Sequence, residues 1–154
     1  MISAREYYNQ IVRPTVDEFF GNNKDLRLAM LACTVTLHLL DYIGQNGAEN
    51  AKQGDKKVNG LKKAAQDQFA FKVVEGFALA SKHCNVASLP GFDSGQHMVA
   101  YPAVCGVARC GGSFLGDTVG GVTVRGGTDR HVNLMGALTE TQRYFESEFP
   151  ELVQ

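Results

Sequence analysis

Apolar residues recur at helical spacing in four segments of the chain. Between the last two segments the pattern changes to short apolar or alternating runs separated by glycines. An amphipathic helix buries one stripe of side chains, so each of the four segments predicts a helix. The predicted helices cover about 3–20, 25–45, 60–83 and 135–149.

Local signals mark the ends of the first two predicted helices. Ser3 and Glu6 have the form of a capping box, and Asp25 is a suitable N-cap for the second helix. Pro14 lies inside the first helix, so this helix either kinks there or begins again near Thr15.

Two segments lack helical periodicity. Residues 46–60 are polar and contain glycines, which is typical of a mobile loop. Residues from about 97 to 134 hold many of the 17 glycines, which predicts short strands joined by turns. We therefore expect one domain over 1–154, mainly α with an α+β character. Its fold would be an antiparallel four-helix bundle with a small glycine-rich β-hairpin or meander insertion before the last helix.

Composition narrows the class of protein. The 154 residues are 44% hydrophobic and 20% charged, which is ordinary for a soluble globular domain. A net charge of -1 argues against a domain-wide nucleic-acid or membrane surface, although it allows a local patch. The four cysteines have no paired spacing, which indicates reduced thiols. The charged N-terminus and an apolar run of only 28–40 favour a cytoplasmic location, with no membrane partner.

A line of polar residues runs along the otherwise apolar second helix. At about 100° per residue, Arg27, Thr34, His38, Asp41 and Gln45 fall within roughly 40° of one line. Three interpretations stay open: the line is the solvent-facing edge, or His38 and Asp41 form a buried structural hydrogen bond, or they form a functional site. In a site, His38 would be a general base oriented by Asp41.

The end of the third predicted helix supplies a second candidate group, Lys82 and His83. The free carbonyl groups at a helix C-terminus stabilise nearby cations, which is a purely structural explanation. If the second and third helices are antiparallel neighbours, this pair approaches Arg27 more readily than Asp41, as in a phosphate or carboxylate clamp. The candidate polar site therefore comprises Arg27, His38, Asp41, Lys82 and His83.

Two elements carry a family resemblance: a helix of the form R-L-A-x-L-A…T-L-H-L-L-D-Y, and a helix that ends F-A-L-A-S-K-H. Over roughly the first 85 residues, and loosely in the closing helix, the chain resembles bacterial proteins of the HEPN-like helical-bundle group (higher eukaryotes and prokaryotes nucleotide-binding). Arg27, His38 and Asp41 match the first element, and Lys82 and His83 match the second. The resemblance implies a helical bundle, a homodimer and a defence or stress context.

Active members of that group are metal-independent ribonucleases with an Arg-x4-6-His motif, whose two residues meet across a dimer. In this chain the motif is matched by Arg125 and His131, outside every predicted helix. Arg27 and His38 are about 16 Å apart along the helix axis and cannot act on one phosphate within one chain. This departure favours a non-catalytic member.

Two further clusters allow other functions. Zinc ligand types occur at His83, Cys84, His97, Cys105 and Cys110, but the chain has no second closely spaced pair, so we expect no metal and no cofactor. The basic cluster of Lys52, Lys56, Lys57, Lys62 and Lys63 is either a solvated loop or a contact for RNA or an acidic partner.

The expected function is a non-catalytic HEPN-like binding or regulatory module that forms a homodimer. One alternative is a metal-independent ribonuclease or other hydrolase that uses His38 or His83 with Arg27 or Lys82. Another is a small-molecule pocket where the bundle meets the β insertion. The expected partners are a second copy of the chain and, as a ligand, RNA or a nucleotide.

Overall fold

The computed structural model describes residues 2–82, 98–102, 120–125 and 131–154, and these are mainly helical. The helices are α1 Ala4–Tyr7, a π-helical turn Tyr8–Val12, α2 Arg13–Gly21, α3 Leu26–Gln45, α4 Ala51–Ala65, α5 Phe69–Lys82 and α6 Leu134–Glu148. A 3-10 turn Pro150–Leu152 follows α6. The strands are β1 Met98–Pro102, β2 Gly120–Arg125 and β3 His131–Asn133.

The first helix begins at the predicted capping box. The backbone N–H of Ser3 donates to the Glu6 carboxylate at 2.7 Å, and the N–H of Glu6 donates to the Ser3 hydroxyl at 3.1 Å. This satisfies donors that have no partner within the helix.

Proline is accommodated in this helix by a widened turn. Pro14 has no N–H, and its ring crowds the carbonyl group four residues earlier. The N–H of Arg13 donates to the carbonyl of Tyr8, five residues back, and the Thr15 hydroxyl donates to the carbonyl of Ile11 at 2.6 Å. The helix is therefore continuous from α1 to α2, and the second start near Thr15 does not occur.

Helix α3 is the central helix of the described structure. Its N-cap is Asp25, as predicted, and the Asp25 carboxylate accepts from the N–H groups of Arg27 and Leu28 at 2.8 and 3.1 Å. The helix packs against α2, α4 and α5, and much of its surface is buried. This coverage explains why its sequence is apolar around most of the circumference.

The prediction of a mobile loop over 46–60 is wrong, because most of this segment belongs to α4. Asn50 is the N-cap and accepts from the N–H of Gln53 at 3.0 Å, and Val58 is buried where α4 packs on α3. The glycines permit close contact between the helices. A Cβ on Gly44 would lie 2.9 Å from the backbone nitrogen of Val58, and one on Gly54 would overlap the Gln45 side chain.

The third predicted helix, at 60–83, is correspondingly two helices. The N–H groups of Asp67 and Gln68 donate to the carbonyls of Ala64 and Ala65 at 3.2 and 2.9 Å, which closes a tight turn between α4 and α5. The described residues thus contain five helical segments, when α1 to α2 is counted as one, where the periodicity predicted four.

The strands form one antiparallel sheet in the order β1–β2–β3. They fall within the range predicted for the β insertion, and the links between them lie outside the described residues. Strand β3 leads directly into α6, where the Asn133 side chain caps the helix by accepting from the N–H of Met135 at 2.9 Å. Helix α6 begins and ends within one residue of the predicted bounds.

The C-terminal elements are fastened to the N-terminal helix. The hydroxyl of Tyr8 donates to the Glu146 carboxylate at 2.6 Å, and the amide of Asn9 donates to the carbonyl of Leu152 at 2.9 Å. Burial, and then the hydrogen bond to Glu146, raise the pKa of Tyr8 well above that of a free phenol. Tyr8 therefore stays protonated and remains a donor at neutral pH.

Two fully buried threonines should respond oppositely to replacement by valine. The Thr36 hydroxyl donates to the Ala32 carbonyl at 2.7 Å, whereas the Thr141 hydroxyl has no hydrogen-bond partner in the part of the chain that the structure describes. We expect Thr141→Val to stabilise the protein by about 1 kcal/mol and Thr36→Val to destabilise it by about 1 kcal/mol in urea unfolding. Equal losses in the two variants would contradict the unsatisfied state of Thr141, since the change in helix propensity is the same.

Docking of α4 should depend on Gly44. In Gly44→Ala the new methyl group meets the Val58 backbone, which cannot move without displacing α4. We expect a net loss of about 1–2 kcal/mol in the free energy of unfolding, although alanine favours helix more than glycine does. The control is Gly60→Ala on the exposed side of α4, where nothing lies within 4 Å of the new Cβ, and we expect a gain of up to about 1 kcal/mol. A gain in both variants would mean that α4 is not held closely against α3.

Candidate functional site

The first half of the polar line on α3 lies in solvent. The side chain of Arg27 is 74% exposed, and its guanidinium contacts the Asp25 carboxylate at 3.8 Å. His38 is exposed as well, and the half-buried Thr34 donates its hydroxyl hydrogen to the Met30 carbonyl at 2.8 Å. These surroundings are those of a surface edge.

The second half of the polar line is held by α4. Asp41 lies 3.7 Å from the ammonium group of Lys62, and the Gln45 amide donates to Asp55 at 3.1 Å. The two contacts also show that α3 and α4 run antiparallel. Asp41 is engaged by Lys62 and His38 is exposed, so the buried His38–Asp41 hydrogen bond considered from the sequence is absent from the described contacts.

The structure leaves the second candidate group untested. Lys82 is the last residue of α5, and His83 lies outside the described residues. The predicted grouping of Lys82 and His83 with Arg27 therefore stays a prediction.

The match to the Arg-x4-6-His motif lies in the sheet. Arg125 ends β2, His131 begins β3, and the register places them directly opposite each other. The two residues are thus neighbours on a β-ribbon rather than on a helix, which is a different setting from the one that the resemblance implies.

The candidate zinc ligands also lie outside the described residues. In the described ranges no group of three or more His, Cys, Asp or Glu side chains is placed to hold a metal ion. Cys33 is buried in α3, and burial raises the pKa of its thiol, which makes it a poor nucleophile. The zinc candidates outside the described residues are His83, Cys84, His97, Cys105 and Cys110.

An open groove of about 500 Å³ lies between the beginning of α1 and the end of α3. Its lining includes Glu6, Asp41 and Tyr42, and Tyr42 stacks on Tyr7 with 3.9 Å between ring centroids. Burial, followed by the charges of Tyr42 and Asp41, raises the pKa of Tyr7 to about 12, so the phenol is neutral at physiological pH.

The acidic groups of this groove already have partners. The backbone N–H of Ser3, and then its hydroxyl, lower the pKa of Glu6 and keep the carboxylate ionised, while Asp41 faces Lys62. The groove can receive a small ligand, but it holds no acid and base poised against each other among the described residues. The groove lies where α1 begins and α3 ends, and the sequence pattern did not predict a site at this location.

The sequence analysis did not predict that the Glu75 carboxylate is buried and bonded to Gln66. Glu75 in α5 is buried and accepts from the amide of Gln66 at 2.9 Å. Gln66 belongs to the turn between α4 and α5, so its contact with Glu75 follows from the break that the periodicity did not predict. The bond gives Glu75 a structural role in holding this turn.

Of the helices described, α3 is long and apolar enough by length and composition to cross a membrane, with a mean hydropathy of 1.4 over an 18-residue window. The apolar run of 28–40 is too short to cross a membrane by itself, but the helix that contains it extends from Leu26 to Gln45. Half of the window is buried inside the protein, and the core helix of a soluble protein passes the same test.

Comparison with protein-family models, curated proteins and solved structures found no match to this chain. The resemblance to HEPN-like proteins therefore stays a prediction from the sequence.

Replacement of His38 should leave stability almost unchanged. Because the side chain is exposed, we expect His38→Ala to alter the free energy of unfolding by less than about 0.5 kcal/mol in urea at neutral pH. The contrasting variant is Tyr8→Phe, which removes a fully buried hydroxyl from a carboxylate and should cost about 1.5–3 kcal/mol. A comparable loss in His38→Ala would contradict the exposed position of this histidine.

Proposed function

We propose that the chain is a non-catalytic binding or regulatory module built on an HEPN-like helical bundle, and that it acts as a homodimer. In this proposal α1–α2, α3, α5 and α6 are the four antiparallel helices predicted from the sequence, and α4 is added to one side of α3. The ring contact between Phe71 and Phe145, with centroids 6.0 Å apart, supports it by joining the start of α5 to the end of α6. The contact between Asn23 and Met135 supports it by joining the start of α6 to the loop before α3.

The observation that carries a binding role over catalysis is the separation of the candidate polar groups. Arg27 contacts Asp25, Asp41 contacts Lys62, and His38 stands between them on the exposed edge of the helix. A general base needs an orienting partner and a nearby group that stabilises developing charge. The described side chains of this line instead contact separate neighbours. Polar groups dispersed in this way favour a binding surface over a catalytic centre.

The solvent-exposed first half of the polar line on α3 offers a surface for self-association. Leu31 lies beside Arg27 and Thr34 on this edge, and it is 42% exposed in the second turn of this largely apolar helix. A two-fold interface uses the same patch on both subunits. An exposed leucine flanked by polar groups is suited to the centre of such a patch.

We expect sedimentation velocity at micromolar concentration to show a dimer that Leu31→Asp converts to a monomer. Burying an unpaired carboxylate at an apolar contact is strongly unfavourable, so the dimer should weaken at least about 100-fold. The control is Ile11→Asp, because Ile11 is 39% exposed on the N-terminal helix and should leave the dimer intact. A wild-type monomer, or equal effects of the two variants, would contradict self-association through α3.

The same proteins distinguish the hydrolase alternative. We expect no RNA cleavage in EDTA by the wild-type protein. Cleavage that is lost in His38→Ala without unfolding would overturn the non-catalytic assignment and favour the metal-independent ribonuclease.

A further inference from the structure

The five lysines of α4 occupy two different kinds of position. Lys57 and Lys62 flank the buried side of the helix: the ammonium group of Lys57 donates to the Asn46 carbonyl at 3.2 Å, and Lys62 lies 3.7 Å from Asp41. These two lysines fasten α4 to α3. Lys52, Lys56 and Lys63 are exposed and form no ion pair or hydrogen bond with the described part of the chain.

The unpaired lysines share one line along the helix. At about 100° per residue, Lys52, Lys56 and Lys63 fall within roughly 40° of each other, and Asn59 lies on the same line. All four residues are exposed, and we call them the lysine face. Over about 16 Å the helix thus presents three cations that have no partner among the described residues.

Positive charge is concentrated on this helix. The segment Ala51–Ala65 carries five lysines and one aspartate, a net charge of +4, although the whole chain has a net charge of -1. Asp55, its one acidic residue, accepts from the Gln45 amide at 3.1 Å and forms no ion pair with the lysine face among the described contacts. Like charges four residues apart on a helix are mutually destabilising, as for Lys52 and Lys56. A local field of this kind attracts a polyanion.

We propose that the lysine face binds the phosphate backbone of single-stranded RNA. One strand of nucleic acid carries a charge about every 3.4 Å of axis in a duplex, so a row of about 16 Å meets several phosphates in any register. A flexible strand can follow a convex helix, whereas a rigid duplex touches it over a shorter length. Asn59 adds an amide that both donates and accepts, which suits the ribose 2′-hydroxyl.

The other acidic partners fit this surface less well. A membrane-binding helix needs an apolar face to enter the lipid, but Val58 lies against Gly44 of α3 and Leu61 packs against the hydrophobic core. An acidic protein would have to present carboxylates at matching positions along the whole row of about 16 Å, whereas a nucleic-acid strand carries a phosphate about every 3.4 Å and meets the lysines in any register. The inference requires a docked α4 but no self-association, so it can fail or succeed independently of the proposed dimer.

The test is fluorescence anisotropy with a labelled 20-nucleotide RNA of mixed sequence at several salt concentrations. Three phosphate contacts by a single strand predict a slope of about -2 for log affinity against log salt, or about a 20-fold loss between 50 and 200 mM. In Lys52→Gln/Lys56→Gln/Lys63→Gln we expect a slope near zero and affinity at least about tenfold lower at 50 mM salt. Circular dichroism checks that the helix content of this variant is unchanged.

The matched control removes three exposed cations elsewhere: Arg5→Gln/Lys24→Gln/Lys72→Gln. It has the same net charge as the lysine-face variant and should keep the wild-type slope. Equal weakening by both variants would show a general charge effect and overturn the proposal, as would the absence of RNA binding at 50 mM salt.

Other probes separate the partner classes. A DNA strand of the same sequence should bind more weakly than RNA, and equal affinity would overturn the assignment to RNA. Tighter binding to phosphatidylglycerol vesicles or to poly-glutamate, lost in the lysine-face variant, would assign the surface to a membrane or an acidic protein and overturn the proposal as well.

Discussion

The burial of α3 is the constraint on which the rest of the structure depends. Its side chains are apolar around most of the circumference, so α2, α4 and α5 must cover it. The side of α3 that carries the polar line can be covered only by an element that supplies polar partners, because a buried polar group without a partner is costly. Helix α4 meets this condition over the second half of the line by pairing with Asp41 and Gln45, and the first half stays in solvent.

The features that sequence reasoning predicted correctly are those determined by a few adjacent residues. Ser3 with Glu6, and Asp25 at the start of α3, satisfy helix N–H groups within the same turn, so their identity and spacing suffice. Helix α6 was also found within a residue of its bounds, since Pro150 and the apolar spacing act locally.

The features that were missed depend on contacts between distant residues. Nothing in 46–60 alone reveals that Gly54 lies against Gln45, or that Val58 lies against Gly44. The glycines of this segment permit close packing, but the same residues in an isolated polar segment are typical of a loop. Periodicity also predicts which residues of α3 share the polar line, but it does not predict which helices lie against that line. The exposure of His38 and the pairing of Asp41 with Lys62 therefore follow only from the position of α4.

The docking of α4 links the fold to the proposed RNA contact. The close approach at Gly44 fixes which side of α4 faces α3, and this orientation decides the role of each lysine. Lys57 and Lys62 reach partners at the end of α3, whereas Lys52, Lys56 and Lys63 are directed away from it. A rotation of α4 by one residue, about 100°, would break the first set of contacts and turn the second set along the protein surface. The packing that completes the coverage of α3 therefore also aligns the three lysines that have no partner among the described residues, so stability and the proposed RNA binding depend on the same helix–helix contact.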